Sequence, residues 1–385
     1  MAKQAGRKRE KQQKKFYDYT LLFVIIFLSC FGLIMIYSTS YYTAQLKLND
    51  PSYYMRRQAS VLLIGLVVMI IVSKFDYHRL MKLAPLGYLI SLVLMVLVDF
   101  TPFGIEYNGK KRWFGIGGHS LFQPTELVKI TIILMMAAYI VKYLKVIDRR
   151  KTIIWMLLLT VPLIGLVAKN NLSSGIIIAG IVFVMYFVAS KRKTNFVVLI
   201  LLGAAVVVAA IVIGPMLVKM GVLQAYQLNR IMVWQSPEAY ASDGGFQVLQ
   251  GLYAIGSGGI FGKGLGNSIQ KLGFVPEAQN DMIFAIICEE LGLFGAACLI
   301  LLFLFMLYRF LVIANNAPDL MGSLIVIGAM SHIAIQVILN IAVVTNTIPN
   351  TGITLPFISY GGTSLLFLML EMGLVLSVSN RITLE

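Results

Sequence analysis

Apolar runs close to 20 residues long recur along almost the whole chain, the length an α-helix needs to cross a hydrocarbon core about 30 Å thick. Hydropathy windows place such helices at about 17–38, 59–73, 80–98, 126–144, 152–168, 174–190, 195–218, 282–310, 321–345 and 363–379. Only 13% of the 385 residues are charged and 58% are apolar, so a soluble enzyme is excluded. The expected fold class is an all-α polytopic membrane protein of about ten transmembrane helices. The first run is too long for a signal-peptide core and has no evident cleavage site, so it reads as the first span.

Ten spans put both termini on one side, and the first tail carries seven basic residues from Lys3 to Lys15, which marks that side as cytoplasmic. Alternate connections then bring the cytoplasmic total to 20 of the 32 Lys and Arg, against 12 outside. The division is a basic cytoplasmic tail at 1–16, a membrane domain at 17–379 and a short cytoplasmic C-terminus at 380–385. A large extracytoplasmic loop, 219–281, joins helices 7 and 8, and its Trp, Pro and glycine content reads as ordered rather than as a linker. The outer basic residues are either solvated loop charge or a vestibule for a phosphorylated lipid. A net charge of +15 on a membrane chain predicts contact with anionic lipid heads, and no aromatic and basic patch suggests nucleic acid. Cys30, Cys288 and Cys298 lie in apolar runs, which predicts no disulfide framework and no Cys/His metal site.

Charges in or beside spans are few, and their cost of about 2.5–3.5 kcal/mol at a helix centre makes each a functional candidate. They are Glu126, Lys129, Asp281, Glu289, Glu290 and Glu371. Glu126 and Lys129 share a helical face and can pair, with Arg112 in the preceding loop near enough to join them; the same trio reads equally as a structural ion pair. Asp281 stands where the long outer loop re-enters the membrane, either as a helix-start residue favouring the positive end of the dipole or as a general base with a raised pKa.

The run Gly256-Ser257-Gly258-Gly259-Ile260-Phe261-Gly262-Lys263-Gly264 lacks a nucleotide-loop ending. It reads as a tight, close-packed loop, or as amides and Lys263 approaching a pyrophosphate. Residues 346–364, rich in Pro and Gly before the last apolar run, predict a re-entrant segment, since irregular backbone at membrane depth survives only where buried or lining a cavity. His332, inside a span, reads as a helix-to-helix hydrogen-bond partner.

Taken together these segments resemble the SEDS family (shape, elongation, division and sporulation), the FtsW/RodA/SpoVE membrane proteins, over nearly the whole chain. The resemblance is carried by Arg112-Trp113, Gln123-Pro124-Thr125-Glu126-Leu127-Val128-Lys129, the glycine run with Lys263, Asp281-Met282-Ile283-Phe284-Ala285 with Glu289-Glu290-Leu291-Gly292, and Thr351-Gly352-Ile353-Thr354-Leu355-Pro356-Phe357-Ile358-Ser359-Tyr360-Gly361-Gly362. The stretch from Gly245 to Lys271 looks closer to the FtsW/SpoVE branch than to RodA. Asn280, Met282, Asn350 and Glu371 depart from the usual pattern.

What the resemblance implies is a multi-pass protein of the bacterial plasma membrane that polymerises lipid II, an undecaprenyl-pyrophosphate-linked disaccharide peptide, into β-1,4 glycan on its outer face. Asp281 falls on the family's essential aspartate, and Arg112, Glu126, Lys129 and Ser359 match polar residues in or around its central cavity. An inverting displacement would use Asp281 as base while Arg112, Lys129 and Lys263 offset charge on the departing pyrophosphate. A divalent cation, magnesium or manganese, could share that task, although no dedicated metal motif is present. The implied partner is a class B penicillin-binding protein transpeptidase. Two alternatives stay open: a lipid II flippase, suggested by intramembrane charges and broken helices, and a noncatalytic division scaffold.

Overall fold

The computed structural model describes residues 15–383 apart from 108–109, 118, 195, 198–200 and 202–224. A short strand, β1 (Lys15–Phe16), leads into α1 (Tyr19–Leu48), which starts on Asp18, whose carboxylate accepts the Leu21 N–H at 2.8 Å. The helix runs ten residues past its expected end because the polar stretch from Thr39 contains no breaker before Asn49, which stops it in the left-handed conformation. Helix α2 (Tyr53–Lys74) likewise starts earlier than its apolar core. The third expected span is two pieces, α3 (Tyr77–Lys82), capped by Asp76, and α4 (Ala84–Phe100). Pro85 has no amide to continue the ladder of α3, so the chain restarts there.

The next helices, α5 (Pro124–Tyr143), α6 (Arg150–Asn170) and α7 (Leu172–Ala189), fall within two residues of their expected limits. The span expected at 195–218 lies largely outside the described residues. Beyond it come α8 (Ala225–Gln235), α9 (Phe246–Gly258), α10 (Ile283–Asn315), α11 (Leu320–Val344) and α12 (Gly362–Ser379). Among the described residues eight helices are long and apolar enough to cross a membrane, with Ala84–Phe100 a shorter apolar one. The chain is a multi-pass membrane protein.

The all-helical expectation needs one addition. The connection before α5 is a three-stranded antiparallel sheet of β2 (Gly104–Tyr107), β3 (Lys110–Ile116) and β4 (His119–Phe122) in sequence order. Phe114 packs between Phe103 and Phe122, and Phe122 reaches Phe367 of α12, which docks the sheet on the helices. Near the other end of the chain β5 (Ile382–Thr383) pairs antiparallel with β1, so Lys15 and Thr383 lie on the same face.

Helices α11 and α12 occupy the centre, with 67% of their apolar windows buried against 22% for the peripheral α2. Between helices in lipid, close backbone approach supplies much of the attraction, and small residues permit it. A Cβ at Gly65 of α2 would stand 2.9 Å from the Met369 side chain of α12, and one at Gly32 of α1 only 2.5 Å from the Phe357 carbonyl. Arg309 of α10 donates to Asp18 at 2.7 Å, while the Asp18 amide donates to Ser379 Oγ at 2.9 Å, tying α1, α10 and α12 at the terminal face.

Helix α10 is broken at Gly292, whose φ of 69° belongs to the left-handed region. The glycine-rich segment fills the break. Amides of Lys263 and Gly264 donate to the Glu289 and Glu290 carbonyls at 2.9 Å each, and amides of Leu293 and Phe294 donate to Gly259 and Ile260 at 2.9 and 3.0 Å. Backbone groups that the break would leave unpaired are thereby satisfied, which makes close packing the role of this run.

Candidate functional site

Pro124 opens α5, where its missing amide costs no hydrogen bond, and this puts Glu126 and Lys129 on one face of the first turns. Lys129 Nζ stands 2.9 Å from Glu126 Oε2, with the two side chains 4% and 11% exposed. The same ammonium is 3.5 Å from Gln336 Oε1 of α11. These three groups, His332 and residues of the segment Thr354–Gly361 line a small cavity of about 30 Å³.

The cavity wall is the re-entrant segment expected from the Pro and Gly pattern, and it has no helix from 346 to 361. Its backbone is satisfied by side chains instead. Gln336 Nε2 donates to the Thr354 carbonyl at 3.0 Å, and Asn340 Nδ2 donates to the Ile353 carbonyl at 2.7 Å. Ser359 Oγ accepts the Leu355 amide at 2.7 Å and donates to the Asn280 carbonyl at 2.6 Å. The Tyr360 amide donates to Gln279 at 2.9 Å. Phe357, buried with φ of 65°, holds a conformation that costs about 1–3 kcal/mol outside glycine, and this dense set of bonds is what keeps it there.

The same segment places Asp281. Asn340 Nδ2 also reaches the Asp281 carbonyl at 2.9 Å, so one amide bridges the loop start and the re-entrant segment. Gln247 of α9 donates to Asp281 Oδ1 at 3.4 Å and accepts from Asn350 Nδ2 at 3.2 Å. Helix α10 begins at Ile283 with Met282 as its cap and no side-chain capping bond, so the capping reading of Asp281 is not realised. Desolvation pushes the carboxyl up to about 7, with the Glu277 charge adding to it; the residue's own amide, Gln247 and Arg230 pull the other way. Near neutrality this half-buried group can exchange a proton with an adjacent hydroxyl.

Two of the expected substrate contacts are engaged elsewhere. Lys263 forms an ion pair with Glu289 at 2.7 Å and donates to Ser257 Oγ at 2.9 Å, and Lys271 forms the parallel pair with Glu290 at 2.7 Å. Both lysines pin the loop across the start of α10, so Lys263 is held in a structural ion pair rather than standing as a free cation. Its spacing from the glycines suited either role, but only the fold brings Glu289 beneath it. Arg112 Nε donates to the Asn170 carbonyl at 2.9 Å, where a cation suits the C-terminal end of α6. Glu126, Lys129 and Ser359 line the cavity; Asp281 lies outside that lining, against the Gly352 end of the same re-entrant segment. Among the described residues no three His, Cys, Asp or Glu converge.

Sequence reasoning singled out His332 but missed Gln336, Asn340 and Gln247. The signal was present for two of them: His332, Gln336 and Asn340 recur every four residues along one apolar span, which is a polar stripe on one helical face. His332 meets Glu371 of α12 at 2.8 Å through Nδ1 and Gln336 at 2.8 Å through Nε2. Because the Gln336 amide nitrogen is committed to Thr354, its oxygen accepts, and His332 Nε2 therefore carries a hydrogen. This accounts for Glu371 in the last span: it orients the histidine behind the cavity wall.

The family model described as cell cycle protein, named for FtsW, RodA and SpoVE, matches residues 19–383. The chain is 38% identical to stage V sporulation protein E of Bacillus subtilis over 371 residues, 94% of this chain and 97% of that one. It is 37% identical to the probable peptidoglycan glycosyltransferase FtsW of the same organism over 375 residues, 96% and 92% of the two chains. Among solved structures, the rod shape determining protein RodA of Thermus thermophilus superposes with a TM-score of 0.67 at 27% identity, covering 96% of this chain and 98% of that one. A chain from a peptidoglycan synthase complex that coordinates polymerization and crosslinking gives 0.76 at 28%, covering 94% and 97%.

Proposed function

This chain belongs to the FtsW, RodA and SpoVE family of cell cycle proteins and is a peptidoglycan glycosyltransferase; from that premise we propose that it polymerises lipid II with Asp281 as general base. The observation that carries the base assignment is a half-buried carboxyl raised to about 7, held between Gln247 and the re-entrant segment that also walls the polar cavity. The acceptor's 4-hydroxyl oxygen attacks the donor's anomeric carbon while the carbon–oxygen bond to pyrophosphate breaks. The hydroxyl proton passes to Asp281, and undecaprenyl pyrophosphate departs with the bonding electrons. One displacement inverts the α-linked donor to a β-linked product. Lys129, a buried cation of the cavity lining shared with Glu126, would offset the departing charge.

A base with this pKa predicts a pH profile. Only the ionised carboxylate accepts a proton, so the rate at saturating lipid II falls about tenfold per unit below pH of about 7 and levels off above it. A rate independent of pH from about 5.5 to about 8 would remove Asp281 from the proton transfer.

Both termini are assigned to the cytoplasm, with 17–379 a single membrane domain and the interval 219–281 facing outward. The excess of basic residues on the terminal side and the β1–β5 pairing support this. In a cysteine-free background, a thiol introduced by Ser242→Cys is expected to react with an impermeant maleimide in intact cells. Reaction only after the membrane is opened would reverse the orientation.

The decisive experiment mixes the purified, detergent-stable chain with lipid II, alone and with a class B penicillin-binding protein, the transpeptidase class proposed as its partner. Glycan strands are the expected product, with a higher rate in the mixture. A cavity behind a broken helical segment also suits a flippase. Movement of lipid II across proteoliposomes without any polymer would favour that reading, and neither outcome would leave a scaffold.

A further inference from the structure

At the far end of α5 from Glu126, about 30 Å away for a 20-residue helix, a second recess of about 550 Å³ opens where α5 ends, α6 begins and α7 ends. Five cationic side chains line it: Lys145, Arg149, Arg150, Lys191 and Arg192. All five residues are exposed, and among the described residues none has an ion pair within 4.0 Å. Asp148 is the single carboxylate of the lining, and it is already used, accepting from Ser190 Oγ and from the Lys191 amide at 3.0 Å. Burial works against the charge on Asp148, but these bonds and the Arg192 amide hold its carboxyl below the usual range, so it stays ionised and oriented away from pairing with the rim.

The rest of the lining is apolar. Val146, Ile147 and Ala189 form it together with Leu144, which is 41% exposed. One turn into α6, Trp155 is also exposed, the placement of an aromatic anchor at the level of lipid head groups. A solvated face of a soluble loop would offer the charges without the apolar floor. Here a ring of unpaired cations surrounds space for a head group, and apolar side chains lie where acyl chains would begin.

We propose that this recess is a binding site for the phosphodiester head group of an anionic phospholipid, in the leaflet opposite the candidate active site. Basic recesses between membrane helices recognise such head groups by charge, each Lys or Arg near an anionic surface adding about fivefold to binding. Bound lipid would relieve the mutual repulsion of five like charges and link the α5–α6 connection to the end of α7.

The test uses the full chain in detergent with equal phosphatidylglycerol and phosphatidylcholine, and native mass spectrometry to count retained lipids. The expected result is at least one phosphatidylglycerol held in about tenfold or greater preference. Arg149→Gln with Arg150→Gln, and separately Lys191→Gln with Arg192→Gln, should each remove most of that preference, about fivefold or more. Lys74→Gln with Lys82→Gln, basic residues of the same face outside the recess, should leave it unchanged. Monodispersity and retained glycan synthesis show that each variant is folded. Equal retention of the two lipids overturns the proposal, as does an equal loss in the Lys74 and Lys82 variant, which would reduce the effect to general surface charge. Displacement of the lipid by millimolar glycerol phosphate would also overturn it in favour of a soluble anion.

Discussion

Glycan synthesis by Asp281→Asn is expected to fall by about 10²–10⁴-fold at matched protein levels, the usual contribution of a general base. The substitution keeps the size of the side chain and an oxygen that can still accept from Gln247, so the 3.4 Å contact survives while the basicity is lost. Folding should be spared for a second reason: the Asp281 side chain does not cap α10, and the Asn340 bond that holds this position goes to its backbone carbonyl. The loss should therefore appear in kcat, with lipid II affinity little changed, and the residual rate should lose its dependence on pH near 7. Near-normal synthesis by correctly inserted Asp281→Asn protein would end the assignment.

Lys129→Met is expected to destabilise the protein by about 3–5 kcal/mol, because it leaves the Glu126 carboxylate buried without its partner. Adding Glu126→Gln removes the orphaned charge, and the double variant should regain most of the stability, measured by the temperature of denaturation in detergent. Polymerisation separates the two roles of the pair. If Lys129 offsets the leaving pyrophosphate, the double variant stays slow despite its restored stability, whereas Glu126→Gln alone, which keeps the cation, is milder. Recovery of both stability and rate in the double variant would make the pair a structural tie and leave the departing charge to other groups.

The placement of most membrane helices was readable because the bilayer imposes a length and a polarity on every span, and both are written in local composition. Where readings failed, a local rule had been overridden by a neighbour. Helix α1 outran its apolar core because nothing before Asn49 breaks a helix, and the sheet at 104–122 formed where a loop was expected because Phe122 has Phe367 to dock against. The re-entrant segment was legible from its Pro and Gly residues, but its attachment to Asn280 and Asp281 through Ser359 and Asn340 was not, since those contacts join residues 59 or more positions apart.

By itself, the sequence determined that this chain crosses a membrane many times and that only a handful of charges lie in or beside its apolar runs. Spacing also determined that Glu126 and Lys129 could pair, because three residues along a helix make a shared face. Only the tertiary structure decided which charges are free to act. Lys129 and Lys263 each found a glutamate, Glu126 at 2.9 Å and Glu289 at 2.7 Å, but only the Lys129 pair lines the cavity, and Glu371 became the support of His332. The physical reason is that an intramembrane charge is too costly to leave unpaired, so its role depends on which opposite charge or hydrogen-bond partner the fold brings within about 3 Å, and that distance is set by packing between helices far apart in the chain.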